Sequence, residues 1–369
     1  MTYCTQCGKP LQQGDANFCS SCGARLTPAP AYASPQPAYA PPAYAPPPSA
    51  PAAPLTTERA NFRNTGMGFL LPAALLIIVL LTGMVNPLFL VDVNLGNILM
   101  QWAVYAAIAF AAVLPARANG PDLSIGSVIG LSAVIIGQVV QAGETWLSGL
   151  LLALLAAAIV GTVNGVINAV VRVRSILLTV LISAAVTGAV SFIVRRIALG
   201  LTDGYPVMTD IPGISPGLAA FILLLISFAL AFCLNIGTRL GSPVYKTSRS
   251  IGLCIAAYAV SAVVAALAGI YFVIRVRAVI PTIGSGYEAF ILFVFACVIS
   301  SRALDNRFAP VLYALLPALS WAVLQNVLIL NMIGLPYQII AEWILAAAML
   351  LIAFFSRYEK KPRGSGQSS

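Results

Sequence analysis

From residue 67 to residue 356 the chain is a succession of apolar stretches separated by short polar joints. A hydrocarbon layer about 30 Å thick demands roughly 20 apolar residues per crossing, and they must be helical because a helix pairs its own backbone N–H and C=O groups. Stretches of that kind fall near 67–90, 98–116, 122–142, 146–171, 175–194, 216–237, 250–274, 287–301, 309–331 and 336–356. At 60% hydrophobic and 8% charged residues, with a mean hydropathy of +0.93, the chain is not a soluble domain. The expected fold is an all-α polytopic membrane protein of about ten transmembrane helices. The eighth stretch is short and the third begins at a polar break, so each is a candidate for a discontinuous or re-entrant element.

Lysine and arginine placement sets the expected orientation. With the N-terminus inside and ten crossings, fourteen basic residues border the membrane on the cytoplasmic side, from Arg59 and Arg63 through Arg117, Arg172 and Arg174 to Arg357 and Arg363. Only Arg195, Arg196, Arg275 and Arg277 fall outside. This bias predicts cytoplasmic N- and C-termini. The net charge of +9 is then mainly a topology signal, and no nucleic-acid partner is expected.

Ahead of the membrane part stand Cys4, Cys7, Cys19 and Cys22, as CTQC and CSSC pairs. Each pair can offer two thiolates from a tight turn, and Gly8 and Gly23 follow where such a turn needs conformational freedom. The spacing resembles the short zinc ribbons at the termini of many prokaryotic proteins, over about residues 3–26. One structural zinc per chain is the expected cofactor. Disulfides are the rival pairing, but nothing before Cys4 reads as a signal peptide, so a reducing cytosol is expected. Residues 1–26 are too few for a core, and metal binding would supply the folding energy of a small docking module. Residues 27–60 form a Pro/Ala-rich linker, and the polyproline character of its Thr27–Pro54 stretch gives that stretch a reach of about 80 Å. The transmembrane domain is assigned to 61–358 and a basic, polar tail to 359–369.

The chain has no histidine, which removes histidine acid–base catalysis and the usual nucleophile triads. It also lacks a GxxxxGK[ST] phosphate loop, so it does not itself hydrolyse ATP through that fold. No enzymatic activity is expected. Cys233, Cys254 and Cys297 stand singly in apolar stretches and read as small hydrophobes.

Polar residues inside apolar stretches are the candidates for a substrate path: Asp122, Asn164, Asn168, Gln325, Asn326 and Glu342. Asp122 and Ser124 open a helix in NGPDLSIGSVIGL, where their oxygens can cap unpaired N–H groups, and Gly126 and Gly130 allow close packing. Asn164 and Asn168 share one helix face and equally suit interhelical hydrogen bonding, a reading that Gly161 and Gly165 support. Glu342 is costlier to bury, so a partner, water or function must account for it.

In order and spacing, DLSIGSVIGLSAVI, GTVNGVINAVVRVRSILLTVLISAAVTGAVSFI and LTDGYPV resemble the permease subunits of ribose-type bacterial ABC sugar importers. Ile255 to Gly269, and then Gly284-Ser-Gly-Tyr-Glu288, resemble that family's seventh helix and following outer loop. The likeness spans about residues 119–290. It implies a type II importer permease in the bacterial cell membrane. Such a subunit forms part of the translocation path for a sugar or related small polar solute. Its partners would be a cytoplasmic ABC ATPase, a second permease subunit (identical or different), an extracellular substrate-binding protein and the lipid bilayer.

Two departures qualify that implication. The connection from Thr238 to Ser250 is shorter than the family's cytoplasmic segment and carries Pro243, which disfavours a continuous docking helix. Arg239, Lys246 and Arg249 within it are the candidate ATPase contacts. Ser300 to Arg307 replaces the family's Gly-rich loop. The alternative function is a permease-derived scaffold or sensor without ATP coupling, docking through the zinc ribbon.

Overall fold

The computed structural model describes residues 62–118, 120–171, 175–198, 213–238, 250–277, 286–300 and 309–358, together with Phe18. The four cysteines of the head, and Arg239, Lys246 and Arg249, lie outside the described residues. The chain divides into two units, Met1–Arg59 and Ala60–Ser369.

Ten helices occur among the described residues: α1 (Phe62–Gly83), α2 (Asp92–Ala118), α3 (Ile125–Gln141), α4 (Trp146–Val170), α5 (Ser175–Ala198), α6 (Pro216–Gly237), α7 (Ile251–Val276), α8 (Glu288–Ser300), α9 (Ala309–Leu330) and α10 (Leu335–Tyr358). Six of them are long and apolar enough to cross a bilayer: α2, α4, α5, α6, α7 and α10. The 17 residues of α3 and 13 of α8 span only about 25 and 20 Å; the apolar parts Leu70–Gly83 of α1 and Ala314–Leu330 of α9 are short as well.

The first apolar stretch departs from its expected span. Helix α1 ends at Gly83 instead of running to 90, because Asn86 precedes Pro87 and is biased away from helical dihedrals. The following turn is held by Asn86 Oδ1, which accepts from the Leu88 N–H at 3.0 Å. Phe89 folds back onto Gly83, where a Cβ would stand 2.7 Å from its ring. Other helices start at local signals. Thr145 accepts from the Ser148 N–H, Ser215 from Leu218 with Pro216 in the first turn, and Ser250 from Leu253, each satisfying an N–H that the helix cannot pair.

Helix α2 is central, packing against α6, α7, α8 and α9. Its apolar window is 72% buried, against 11% for α5 at the periphery. Small side chains make this possible: Ala103, Ala106, Ala107, Ala109, Ala111 and Ala112 are all buried, so four neighbours can approach one axis. Ser261 of α7 donates to the Ala111 carbonyl at 2.9 Å, and Trp102 Nε1 donates to the Leu315 carbonyl at 3.2 Å.

The most extensive helix pair is α4 with α7. Along α4, Gly149, Ala153, Ala157, Gly161 and Gly165 recur every four residues and are buried, while Leu147, Leu151, Leu155 and Ile159 form an exposed stripe. Between helices in lipid the hydrophobic effect offers no drive, so close backbone contact through small residues must supply the attraction. A Cβ on Gly161 would lie 2.6 Å from the Tyr258 carbonyl oxygen, and one on Gly165 2.7 Å from Ile255 Cα. Gly269 of α7 likewise faces the Ile129 carbonyl of α3 too closely for a side chain.

Gly161→Ala should therefore overpack this contact and cost about 1–3 kcal/mol. The expected result is a lower thermal unfolding midpoint in detergent, with Gly252→Ala, which meets open space, unchanged as the control.

Candidate functional site: a polar clasp between four helices

The joint between α2 and α3 enters the bundle as Gly120-Pro121-Asp122-Leu123-Ser124, and all five residues are buried. Asp122 is 2% exposed and Asn164 of α4 is 0% exposed, so neither can use water. They use each other. Asp122 Oδ1 accepts from the Ser124 N–H at 2.9 Å and the Ser124 hydroxyl at 2.6 Å. Asn164 Nδ2 lies 3.2 Å from both carboxylate oxygens and 3.1 Å from Ser124 Oγ. Asn164 Oδ1 in turn accepts from Asn168 Nδ2 at 2.8 Å.

A second knot extends the clasp to α5 and α7. Ser175 Oγ donates to the Pro121 carbonyl at 3.1 Å and stands 2.6 Å from the Tyr258 hydroxyl. Thr179 Oγ1 accepts from the Leu123 N–H at 3.2 Å. Gly120 makes room for this knot, since a Cβ there would sit 3.0 Å from Ser175 Cβ.

The donors reaching Asp122 are all neutral and come from within the bundle. A buried carboxylate is tolerable only when its oxygens are filled, and a fully satisfied network rigidifies what it joins. Ser124 corrects the capping expectation: it holds the cap position of α3 with helical dihedrals and makes no side-chain cap bond. Its hydroxyl is committed to Asp122 instead.

The remaining candidates lie elsewhere. Asn326 of α9 pairs with Asn94 of α2, each amide donating to the other at 2.8 and 3.0 Å, and Asn94 also donates to the Phe89 carbonyl. Gln325 is half-buried and takes no part in that pair, as residues adjacent on a helix point about 100° apart. Glu342 of α10 is buried, and α10 packs against α8, which Tyr287 precedes. The Tyr287 ring meets that of Tyr105 edge to face at 6.0 Å. Among the described residues no group of three or more metal-ligating side chains occurs.

Ser175, Thr179, Tyr258 and Asn94 were not legible as site residues. Only the amides at 164, 168 and 326 signalled that partners must exist, because a lone serine or tyrosine in an apolar stretch has no pattern of its own.

The described residues thus form an all-helical bundle of multi-pass membrane type, with one buried polar cluster at the joint between α2 and α3. Residues 94–247 match the family described as branched-chain amino acid transport system / permease component, and residues 3–26 match the zinc-ribbon domain. The Ribose import permease protein RbsC of Haemophilus influenzae is 28% identical over 303 residues, covering 76% of this chain and 90% of that protein. The protein of the same name from Escherichia coli K12 is 28% identical with 91% of it covered, and that of Bacillus subtilis 168 is 25% identical with 90% covered. No solved structure matches the chain. Over most of its length the chain is thus similar to ribose import permeases, and its head matches the zinc-ribbon domain.

The clasp itself predicts a coupling. In a double-mutant cycle of Asp122→Ala and Asn164→Ala, read by thermal unfolding in detergent, the two losses should be non-additive by about 0.5–3 kcal/mol. Either truncation alone already strands the other's polar atoms.

Proposed function

We propose that this chain is the membrane-spanning subunit of an ABC importer for a sugar or related small polar solute, with ribose the first solute to test. A cytoplasmic ATPase dimer would drive it, an extracellular binding protein would deliver the solute, and a second permease subunit, identical or not, would complete the path. The observation that carries this reading is the extent of the match to ribose import permeases, about nine-tenths of their length. In this reading the subunit performs no covalent chemistry. It exposes the path alternately to the two sides as its contacts with the ATPase change with nucleotide state.

The clasp supports a division of labour within such a subunit. Asp122, Asn164 and Asn168, proposed as path residues from the sequence, act in this reading by fixing the α2–α3 joint against α4, α5 and α7, and shape the path without touching the solute. Arg239, Lys246 and Arg249 are the proposed ATPase contacts. Cys4, Cys7, Cys19 and Cys22 are the proposed ligands of a structural zinc, whose chemistry suits a four-thiolate site. The zinc ribbon would supply a further contact to the ATPase beside the short 238–250 connection.

Coexpression with an ATPase and a binding protein in cells lacking their own ribose uptake tests the proposal. The complete set should copurify and restore ATP-dependent ribose uptake. Deleting residues 1–54, or Cys19→Ser with its loss of bound zinc, should reduce assembly while membrane insertion persists. Absence of both an ATPase partner and uptake in every pairing would sink the importer reading and favour the scaffold alternative.

Orientation is proposed from the arginine bias, with both termini cytoplasmic. In a background without native cysteines, Cys placed at Thr145 should react with an impermeant thiol reagent from outside intact cells, and Cys at Ser248 should not. The reverse pattern would invert the topology.

A further inference from the structure

Helices α2 and α6 pack side by side and are both long and apolar enough to cross a bilayer, but the seam between them is uneven. Beyond the midpoint of each helix it is closed, with the Phe110 and Phe228 rings edge to face at 5.7 Å. Where the two helices begin it opens into a cavity of about 550 Å³, lined between Gly96 and Ala103 on α2 and between Pro216 and Leu224 on α6. The lining runs from buried Ala103 and Ala220 out to Leu99 and Phe221, which are exposed, so the cavity opens through the face that meets the bilayer. Elsewhere glycine draws helices of this bundle together, as at Gly161, Gly165 and Gly269. Gly96 and Gly217 do the reverse. Both line the cavity, and a Cβ on either would meet nothing within 4 Å. Glycine is a poor helix former, and here it keeps two side chains out of one shared space.

Chemistry and length together select what fits. No side chain lining the cavity offers a free N–H or O–H: Trp102 Nε1 donates to the Leu315 carbonyl at 3.2 Å, which leaves the apolar surface of the ring. A sugar or an ion would lose its hydration there without compensation. Gly96 to Ala103 rises only about 10 Å, and Pro216 to Leu224 about 12 Å, less than half of a hydrocarbon layer about 30 Å thick. A membrane helix from a second copy would need a groove through the whole layer, and the Phe110–Phe228 contact closes this one. A lipid tail of one leaflet needs only half of it. We propose that the cavity is a specific site for one acyl chain of a bilayer phospholipid, entering between Leu99 and Phe221 and packing against the Trp102 ring. Its methylenes supply the dispersion contacts that Gly96 and Gly217 do not make. Hydrocarbon is already the medium at the cavity mouth, so the gain comes from close packing and not from leaving water. This inference requires only that α2 and α6 lie in the bilayer, and it is independent of any solute the protein moves.

The test uses the full chain purified in a mild detergent and washed free of loose lipid. Phospholipid should remain in a fixed ratio to protein, counted by extraction and mass spectrometry. Gly217→Leu places a side chain in the cavity and should lower that ratio several-fold, whereas Gly252→Leu, equally unobstructed but outside the cavity, should keep it. Phosphatidylcholine brominated on its acyl chain gives a second readout. Added to the washed protein, it should quench the part of the tryptophan fluorescence that Trp102→Phe removes, and Gly217→Leu should abolish that quenching. Equal retention and equal quenching in wild type and Gly217→Leu would overturn the proposal, as would the same loss of lipid in Gly252→Leu, which would mark ordinary surface lipid. A Gly217→Leu chain that keeps its lipid but changes from dimer to monomer on size exclusion would assign the cavity to a second copy and overturn the lipid site. If Gly217→Leu fails to fold, Gly96→Leu decides by the same readouts.

Discussion

A polar atom buried between membrane helices has no water to fall back on, and that constraint organises this bundle more than any single apolar contact. The interruption between α2 and α3 breaks the continuous backbone pairing that a helix would give. It is tolerable at depth only because Asp122 takes the Ser124 N–H, Thr179 takes the Leu123 N–H and Ser175 serves the Pro121 carbonyl. Irregular backbone inside a membrane protein survives where protein groups replace the missing partners. The same substitutions bind α4, α5 and α7 to the joint, so the positions of three helices follow from how one break is satisfied.

Close packing is the second consequence. The clasp requires α4 and α7 to stand near enough for Asn164 to reach Asp122 while Tyr258 reaches Ser175, which serves the same joint, and the glycine and alanine face of α4 permits that approach. Gly161 and Gly165 lie on the same stretch of α4 as Asn164, and both face the first half of α7 around Tyr258. Hydrogen bonding and backbone proximity are therefore not separate stabilising features: enlarging a glycine would also lengthen the bonds of the clasp. Helix α5, held mainly along α3, depends on Ser175 and Thr179 for its attachment to the joint.

The count of helices and the class of fold could be read from the sequence, because crossing length and apolar content are local properties of each stretch. The early end of α1 at Gly83 was misplaced by hydropathy, since Met84, Val85 and Leu88 are apolar although Pro87 prevents the helix from continuing. Asn164 and Asn168 could be grouped by their four-residue spacing. Their connection to Asp122 could not, as the separation of 42 positions from Asp122 to Asn164 carries no signal of which joint returns to which helix. Gln325 and Asn326 show the converse. Adjacency in sequence suggested one feature, yet helical geometry separates them, and the true partner of Asn326 is 232 residues away at Asn94.

The polar groups of the bundle differ in how completely the chain satisfies them. A fully satisfied cluster has one low-energy arrangement, and moving any member strands several polar atoms at once, so the Asp122 side of the bundle should move as a rigid block. Along α2, away from the clasp, Gln101 Oε1 is a buried acceptor without a partner among the described residues and Tyr105 meets Tyr287 and Phe290 edge to face, contacts that can exchange at smaller cost.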